Sequence, residues 1–285
     1  MSKYYYNKNY FSVIDEPNKA YWLGFLYADG CINELFKNGK LKAKTLEISL
    51  CNEDKNHLKK FIDCLESNVP IKEKIVKIGD NVYSSNRVTV CCTKMCNDLI
   101  QLGCTSHKTY DITFPTYDNV PYEFMRDFLR GFFDGDGCIS VTEMNGKPHI
   151  VLVLTGMSAM LQSIADFLMS ENILRVKPSI IDDKRSKASS LRMYGTDAIK
   201  DILDYLYKDS SMYLDRKYEK YIDFYKDYDV TKPRRGVHYS KENKAYIVTI
   251  RINGEHIRVG QFKNVEDANN ARIKAEIEKM NCPLN

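Results

Sequence analysis

No apolar stretch in these 285 residues approaches the roughly 18 to 20 that a membrane span requires. The amino-terminal stretch MSKYYYNKNYFSVIDEPNK is polar and lacks the apolar core of a signal peptide, so the chain is expected to stay in the cytosol. Disulfide staples are not expected either: nine cysteines are an odd count, scattered through apparent helices and strands. No C-x₂-C pair is present, and the neighbours of Cys91, Cys92, Cys96, Cys104 and His107 fit core packing better than a zinc site. Strong charge is also missing, with a formal net charge of only +4, but its distribution is uneven. Residues 231–285 hold 11 Lys/Arg against 6 Asp/Glu, whereas residues 1–230 hold 31 against 32. A basic tail on a near-neutral body suits a polyanion partner or a solvated surface. A hydrophobic content of 44% can bury a sizeable core, and the length suits about two domains at roughly 100 to 200 residues each.

An internal repeat is present. WLGFLYADGCI at Trp22 to Ile32 matches LRGFFDGDGCI at Leu129 to Ile139, with Gly24 answering Gly131 and Asp29 answering Asp136. Each copy precedes strand-like alternation, Leu46, Ile48 and Leu50 in the first and Ile150, Leu152 and Leu154 in the second, and then a helical run. Further strands are predicted near 71–78, 83–92, 175–181 and 189–194, and closing helices near 93–102 and 196–207. Each half therefore reads α-β-β-α-β-β-α.

Small residues four apart, Gly24 and Ala28 in one copy and Gly131 and Gly135 in the other, share one face of an apolar helix. Two such faces packed together bring Asp29 and Asp136 to matching ends. Carboxylates there meet the negative end of the helix dipole and one another, which suggests a compensating cation. Magnesium, which takes one or two carboxylates and fills its shell with water and phosphate oxygens, suits that pair, and metal-assisted phosphodiester hydrolysis is the implied chemistry. The plainer alternative is a helix stop, with Gly30 and Gly137 as left-handed caps.

These residues resemble the LAGLIDADG family, and the pattern of its two-motif, single-chain homing endonucleases runs over about residues 12–226. The resemblance implies an α+β fold of two pseudo-symmetric αββαββα halves, residues 1–118 and 119–228, with saddle-shaped antiparallel sheets along the DNA major groove. It implies Asp29 and Asp136 as metal ligands and catalytic acids with Mg2+ or Mn2+, and Lys108 and Lys217 as lysines beside the scissile phosphates. Tyr27 and Asp134 take the motif's variable sixth position and are not read as ligands. Candidate groove contacts are Asn33, Glu34, Lys42, Lys44, Arg87 and Thr89, then Lys147, His149, Lys184, Arg185 and Arg192. The implied partner is double-stranded DNA, bound by a monomer acting as a pseudo-dimer at a long asymmetric site.

Residues 229–235 read as a polar, basic linker containing Pro233. Three short strands follow, with Asn253-Gly254 as a hairpin signal, and then a helix from about Val265 to Met280. Residues 236–285 resemble the APETALA-two/ethylene-response-factor (ERF) type of DNA-binding domain, here lacking the tryptophans of the plant members. That resemblance implies DNA contacts from Arg235, His238, Tyr239, Tyr246, Thr249, Arg251 and Arg258. Two other readings stay open: a LAGLIDADG-derived binder without cleavage, acting as an RNA maturase or transcription regulator, and a chromosome-binding adaptor working through the tail.

Overall fold

The structure, a computed structural model, describes residues 4–79, 81–105, 112–144, 146–176, 178–183, 188–229, 231–252 and 254–281. Pro17 opens helix α1 (Pro17–Asp29) at a position where its missing N–H costs nothing. Every residue from Ala20 to Tyr27 is buried, as suits a helix that is apolar all round. Strand β1 (Gly30–Lys37) follows directly, then β2 (Lys40–Cys51), α2 (Lys55–Cys64), β3 (Lys72–Ile78), β4 (Asn81–Cys91) and α3 (Thr93–Gln101). The strands form one antiparallel sheet in the order β1-β2-β4-β3. In β2, Leu46, Ile48 and Leu50 turn inward with period two, beneath Leu58 and Phe61 of α2 and Met95 and Leu99 of α3.

A second unit repeats this plan. A short 3₁₀ turn (Tyr122–Phe124) leads into α4 (Met125–Asp136), β5 (Gly137–Met144), β6 (Lys147–Gly156), α5 (Ser158–Ser170), β7 (Ser179–Asp182), β8 (Ser189–Tyr194) and α6 (Thr196–Tyr207). Its sheet has the matching order β5-β6-β8-β7. Two features differ from the sequence reading. Strand β7 begins at Ser179 rather than near Arg175, because Pro178 has no N–H to give a ladder. A further helix, α7 (Asp215–Tyr225), closes the unit and packs on α6 through tyrosines. Tyr221 stacks on Tyr207 with centroids 5.8 Å apart and donates to Asp204 at 2.7 Å, while Tyr225 donates to the Thr196 carbonyl at 2.8 Å. One continuous apolar core runs through both units.

The last three strands, β9 (Val237–Ser240), β10 (Ala245–Ile252) and β11 (Glu255–Phe262), pair in the order β11-β10-β9 and carry α8 (Val265–Asn281). They have their own small core of Val237, Val248 and Ala268, packed by Tyr246, Val259 and Phe262. Among the described residues, no helix is long and apolar enough to cross a membrane.

The basic segment before β9 is bonded on both sides. The Arg234 N–H donates to Asn269 at 2.9 Å, and Asn269 donates to the Lys232 carbonyl at 3.1 Å. The Arg234 guanidinium grips both oxygens of Asp201 on α6 at 2.8 and 2.9 Å. Asp201 also accepts from Arg175, which reaches Glu276 of α8 at 3.2 Å. Burial pushes the Asp201 carboxyl up, but the Arg234 hydrogen bonds and the charges of Arg175 and Arg234 outweigh it and hold the group below the usual carboxylate range. Asp201 thus joins the C-terminal strands and helix to the second unit. We predict that Asp201→Ala raises tryptic cutting at Arg234 and Arg235 on the order of tenfold, since it leaves two arginines without their shared partner. A digestion pattern identical to that of the unmodified chain would contradict this.

Candidate active site

Helices α1 and α4 touch backbone to backbone. A Cβ on Gly24 would lie 2.0 Å from the Phe128 carbonyl oxygen, and one on Gly131 would lie 1.9 Å from that of Tyr21. One turn further on, a Cβ on Gly135 would lie 2.2 Å from the Ala28 Cβ. All four small residues of the two motifs therefore sit at the contact, where larger side chains would hold the helices apart.

This contact ends at Asp29 and Asp136, the last residues of α1 and α4. Asp29 is exposed and Asp136 half-buried. The Asp29 Oδ2 atom lies 3.5 Å from where a Gly135 Cβ would be, so its carboxylate borders the last turn of the opposite helix. Gly30 and Gly137 have φ of −73° and −87° with ψ near 150°, so neither is the left-handed cap that the helix-stop alternative supposes. Their smallness serves a different end, since a Cβ would come within 2.8 Å of the Leu26 carbonyl oxygen or 2.4 Å of that of Phe133. Each helix thus passes straight into the first strand of its sheet.

Lys217, on the first turn of α7, is 2% exposed, and its ammonium donates to the carbonyls of Phe133, Asp134 and Gly135 at 2.8, 2.6 and 3.3 Å. Those three bonds use all three of its N–H groups, so Lys217 stands in this structure as a cap on the negative end of α4. Burial lowers its pKa to about 8 against the opposing pull of the Asp134, Asp29 and Asp136 carboxylates. Lys108 lies outside the described residues.

Asp134, which the sequence places at the motif's sixth position and does not make a ligand, is 1% exposed. Its carboxylate accepts from Tyr21 at 2.7 Å, Tyr207 at 2.5 Å and the Leu214 N–H at 2.7 Å. Because Tyr21 donates to Asp134, its oxygen is left to accept from the His57 Nε2–H at 3.0 Å. Burial and the nearby cations lower the His57 pKa to about 3, so the ring is neutral. In the first copy Tyr27 takes the same motif position and donates to the Leu102 carbonyl at 2.5 Å. The available signal was a carboxylate directly after Phe132 and Phe133 in LRGFFDGD.

The expected groove contacts fall in different surroundings. Asn33, Glu34, Lys42, Thr89, Arg192, His238, Tyr239 and Arg258 are exposed on strands, and His149 is half-buried. Lys44 pairs with Glu34 at 3.2 Å and Arg87 with Glu47 at 3.4 Å, so both cations are partly engaged within the sheet. Tyr246 packs against the small C-terminal core, edge to face with Tyr239. Arg235, Thr249 and Arg251 line a cleft of about 380 Å³ between α6 and the C-terminal strands. Lys184 and Arg185 lie outside the described residues, as does the side chain of Lys147.

Among the described residues, no group of three or more His, Cys, Asp or Glu gathers for a metal. Asp29 and Asp136 form instead a pair of hard oxygen donors at the surface, a set that suits a cation keeping most of its water rather than a closed thiolate or imidazole site.

Comparison with known proteins adds a family to part of the chain. No curated protein sequence matches it. Similar solved structures include the meganuclease I-SmaMI bound to uncleavable DNA, at 14% identity and a TM-score of 0.48 over 74% of this chain and 89% of that one. Others are the LAGLIDADG homing endonuclease I-GzeII in complex with its DNA target, at 14% identity and 0.47 over 74% and 89%, and I-LtrWI bound to target DNA, at 13% and 0.45 over 77% and 91%. The family model for a LAGLIDADG-like domain matches residues 123–204, from the turn before α4 to the end of α6. The second unit, with its motif helix α4, carries a LAGLIDADG-like domain.

Proposed function

We propose that the chain is a site-specific double-strand DNA endonuclease of the homing type, working as a monomer whose halves, residues 1–118 and 119–228, act as a pseudo-dimer. The observation that carries this reading is the convergence of Asp29 and Asp136 at adjoining ends of two helices packed through glycine. A carboxylate pair at the negative ends of two helices has no use in a plain binder, because each charge opposes the other and both helix dipoles. Asp29 and Asp136 are the residues that would hold Mg2+ or Mn2+, which when bound would supply water activation and stabilisation of the leaving oxygen. Lys217 steadies the end of α4 and sets a positive charge beside both acids. Lys108 is assigned the matching place in the first half.

The two four-stranded sheets then lie along the major groove, with exposed Lys42 and Arg192 among the groups facing base edges and phosphates. The halves differ in sequence, so the preferred site is asymmetric. Residues 236–285 act as an ERF-like DNA-binding domain behind the 229–235 segment, where His238, Tyr239 and Arg258 are exposed. A second binder on the same chain adds affinity rather than cutting.

The test is cleavage-site selection from a randomised duplex library, with magnesium and with chelator. Defined double-strand cuts that require the metal are expected. Specific retention of duplex without cuts would favour the regulator reading, and retention of structured RNA instead would favour the maturase.

A further inference from the structure

The start of α7 is held from two sides. Leu214 precedes the helix and has no side-chain cap of its own; its N–H instead donates to the Asp134 carboxylate of α4 at 2.7 Å. Three residues later Lys217 returns the contact by capping the carbonyl end of α4. The two helix ends therefore complete each other. Between these points the chain belongs to the first unit. Lys60 of α2 donates to the Tyr213 carbonyl at 2.9 Å and to Asp215 at 2.6 Å. Arg216 donates to both oxygens of Asp54, the residue just before α2, at 3.0 and 2.9 Å. From Tyr213 to Lys217 every residue is engaged, residues 213, 215 and 216 by the first unit and residues 214 and 217 by the second.

We infer that Asp54 and Lys60 of the first unit are positioning residues for Lys217 of the second, fixing it beside the motif acids through the first turn of α7. Each of these ion pairs keeps one partner in solvent, Asp215 and Arg216, so each contributes little net stability, but together they define one geometry. Here they define it across the interface between the two units. The placement itself is independent of any activity. Its effect on cutting rests on the endonuclease reading: losing the clasp slows the strand served by Lys217 more than the other, so nicked DNA accumulates.

The test uses the full chain. Without DNA, a pulse of acetic anhydride followed by peptide mass analysis reports access to Lys217, with exposed Lys42 as internal reference. Asp54→Asn and Lys60→Met are each expected to raise Lys217 labelling relative to Lys42 about fivefold, the effect of losing about 1 kcal/mol of restraint. Asp54→Glu, which keeps the charge for Arg216, is expected to restore most of the protection. Unchanged Lys217 labelling in both variants, or a rise shared by all lysines, overturns the inference. With a plasmid bearing the selected site, the variants are expected to leave nicks on one defined strand. Loss of both cuts in step, with the unmodified protein active, also overturns it. If the unmodified protein leaves DNA uncut, the endonuclease reading fails, and the labelling result alone decides the clasp.

Discussion

Asp29→Asn and Asp136→Asn are each expected to lower double-strand cleavage by roughly a thousandfold or more, the scale at which removing one group that stabilises charge in a transition state is felt. Asparagine keeps the shape of the side chain and loses its charge, so the α1–α4 contact is untouched. The melting temperature should hold or rise, because each substitution removes a negative charge from the carbonyl end of a helix, an effect of about 0.3 to 1 kcal/mol. DNA affinity in chelator should stay within about tenfold, since the proposed phosphate contacts and base readout lie elsewhere on the chain. Plasmid cleavage, thermal melting and filter binding on the same preparations separate these effects. Full cleavage by either variant would remove that acid from the site, and lost affinity matching lost cleavage would make it a binding group instead.

The second large effect is mechanical. Gly131→Leu places its Cβ 1.9 Å from the Tyr21 carbonyl oxygen, and the obstacle is backbone, so neither helix can yield without moving as a whole. Overpacking of a core commonly costs about 1 to 3 kcal/mol, and here the displaced object is a helix that fills the core, so a loss above about 3 kcal/mol is expected against a typical total of roughly 5 to 15. Gly24→Leu should behave alike, facing the Phe128 oxygen at 2.0 Å. Gly156→Ala is the control, as its nearest neighbour would be an Leu161 methyl at 3.5 Å, an ordinary contact. Urea unfolding with a common slope checks the series. Equal stabilities for Gly131→Leu and Gly156→Ala would mean that α1 and α4 do not meet as described.

Much of this was readable because it repeats or alternates. The duplicated motif announced paired helices, period-two runs such as Leu46-Ile48-Leu50 announced strands, and the small residues of both motifs marked the contact face. What the sequence hid depends on partners far along the chain. Arg216 finds Asp54 across 162 positions and Tyr21 finds Asp134 across 113, and no local pattern encodes either pairing. Asp134 shows why a variable motif position is hard to judge: the same slot holds a tyrosine bonded to a carbonyl in one copy and a carboxylate gathering three donors in the other. Helix α7 escaped because its stripe of tyrosines reads as polar until Tyr207 and Asp204 supply a surface for both ring and hydroxyl.

No loop separates Asp29 from β1 or Asp136 from β5; in each half the residue after the acid is already strand. A loop would absorb small movements of the sheet, as a slack joint does. Without one, each first strand and its carboxylate form a single lever, and any twist imposed on the sheet arrives at the acid undiminished. Sequence fidelity in such a molecule need not reside in binding alone. On the endonuclease reading, a poorly matched duplex is gripped well and still cut slowly, because a sheet seated slightly askew carries its acid off the mark.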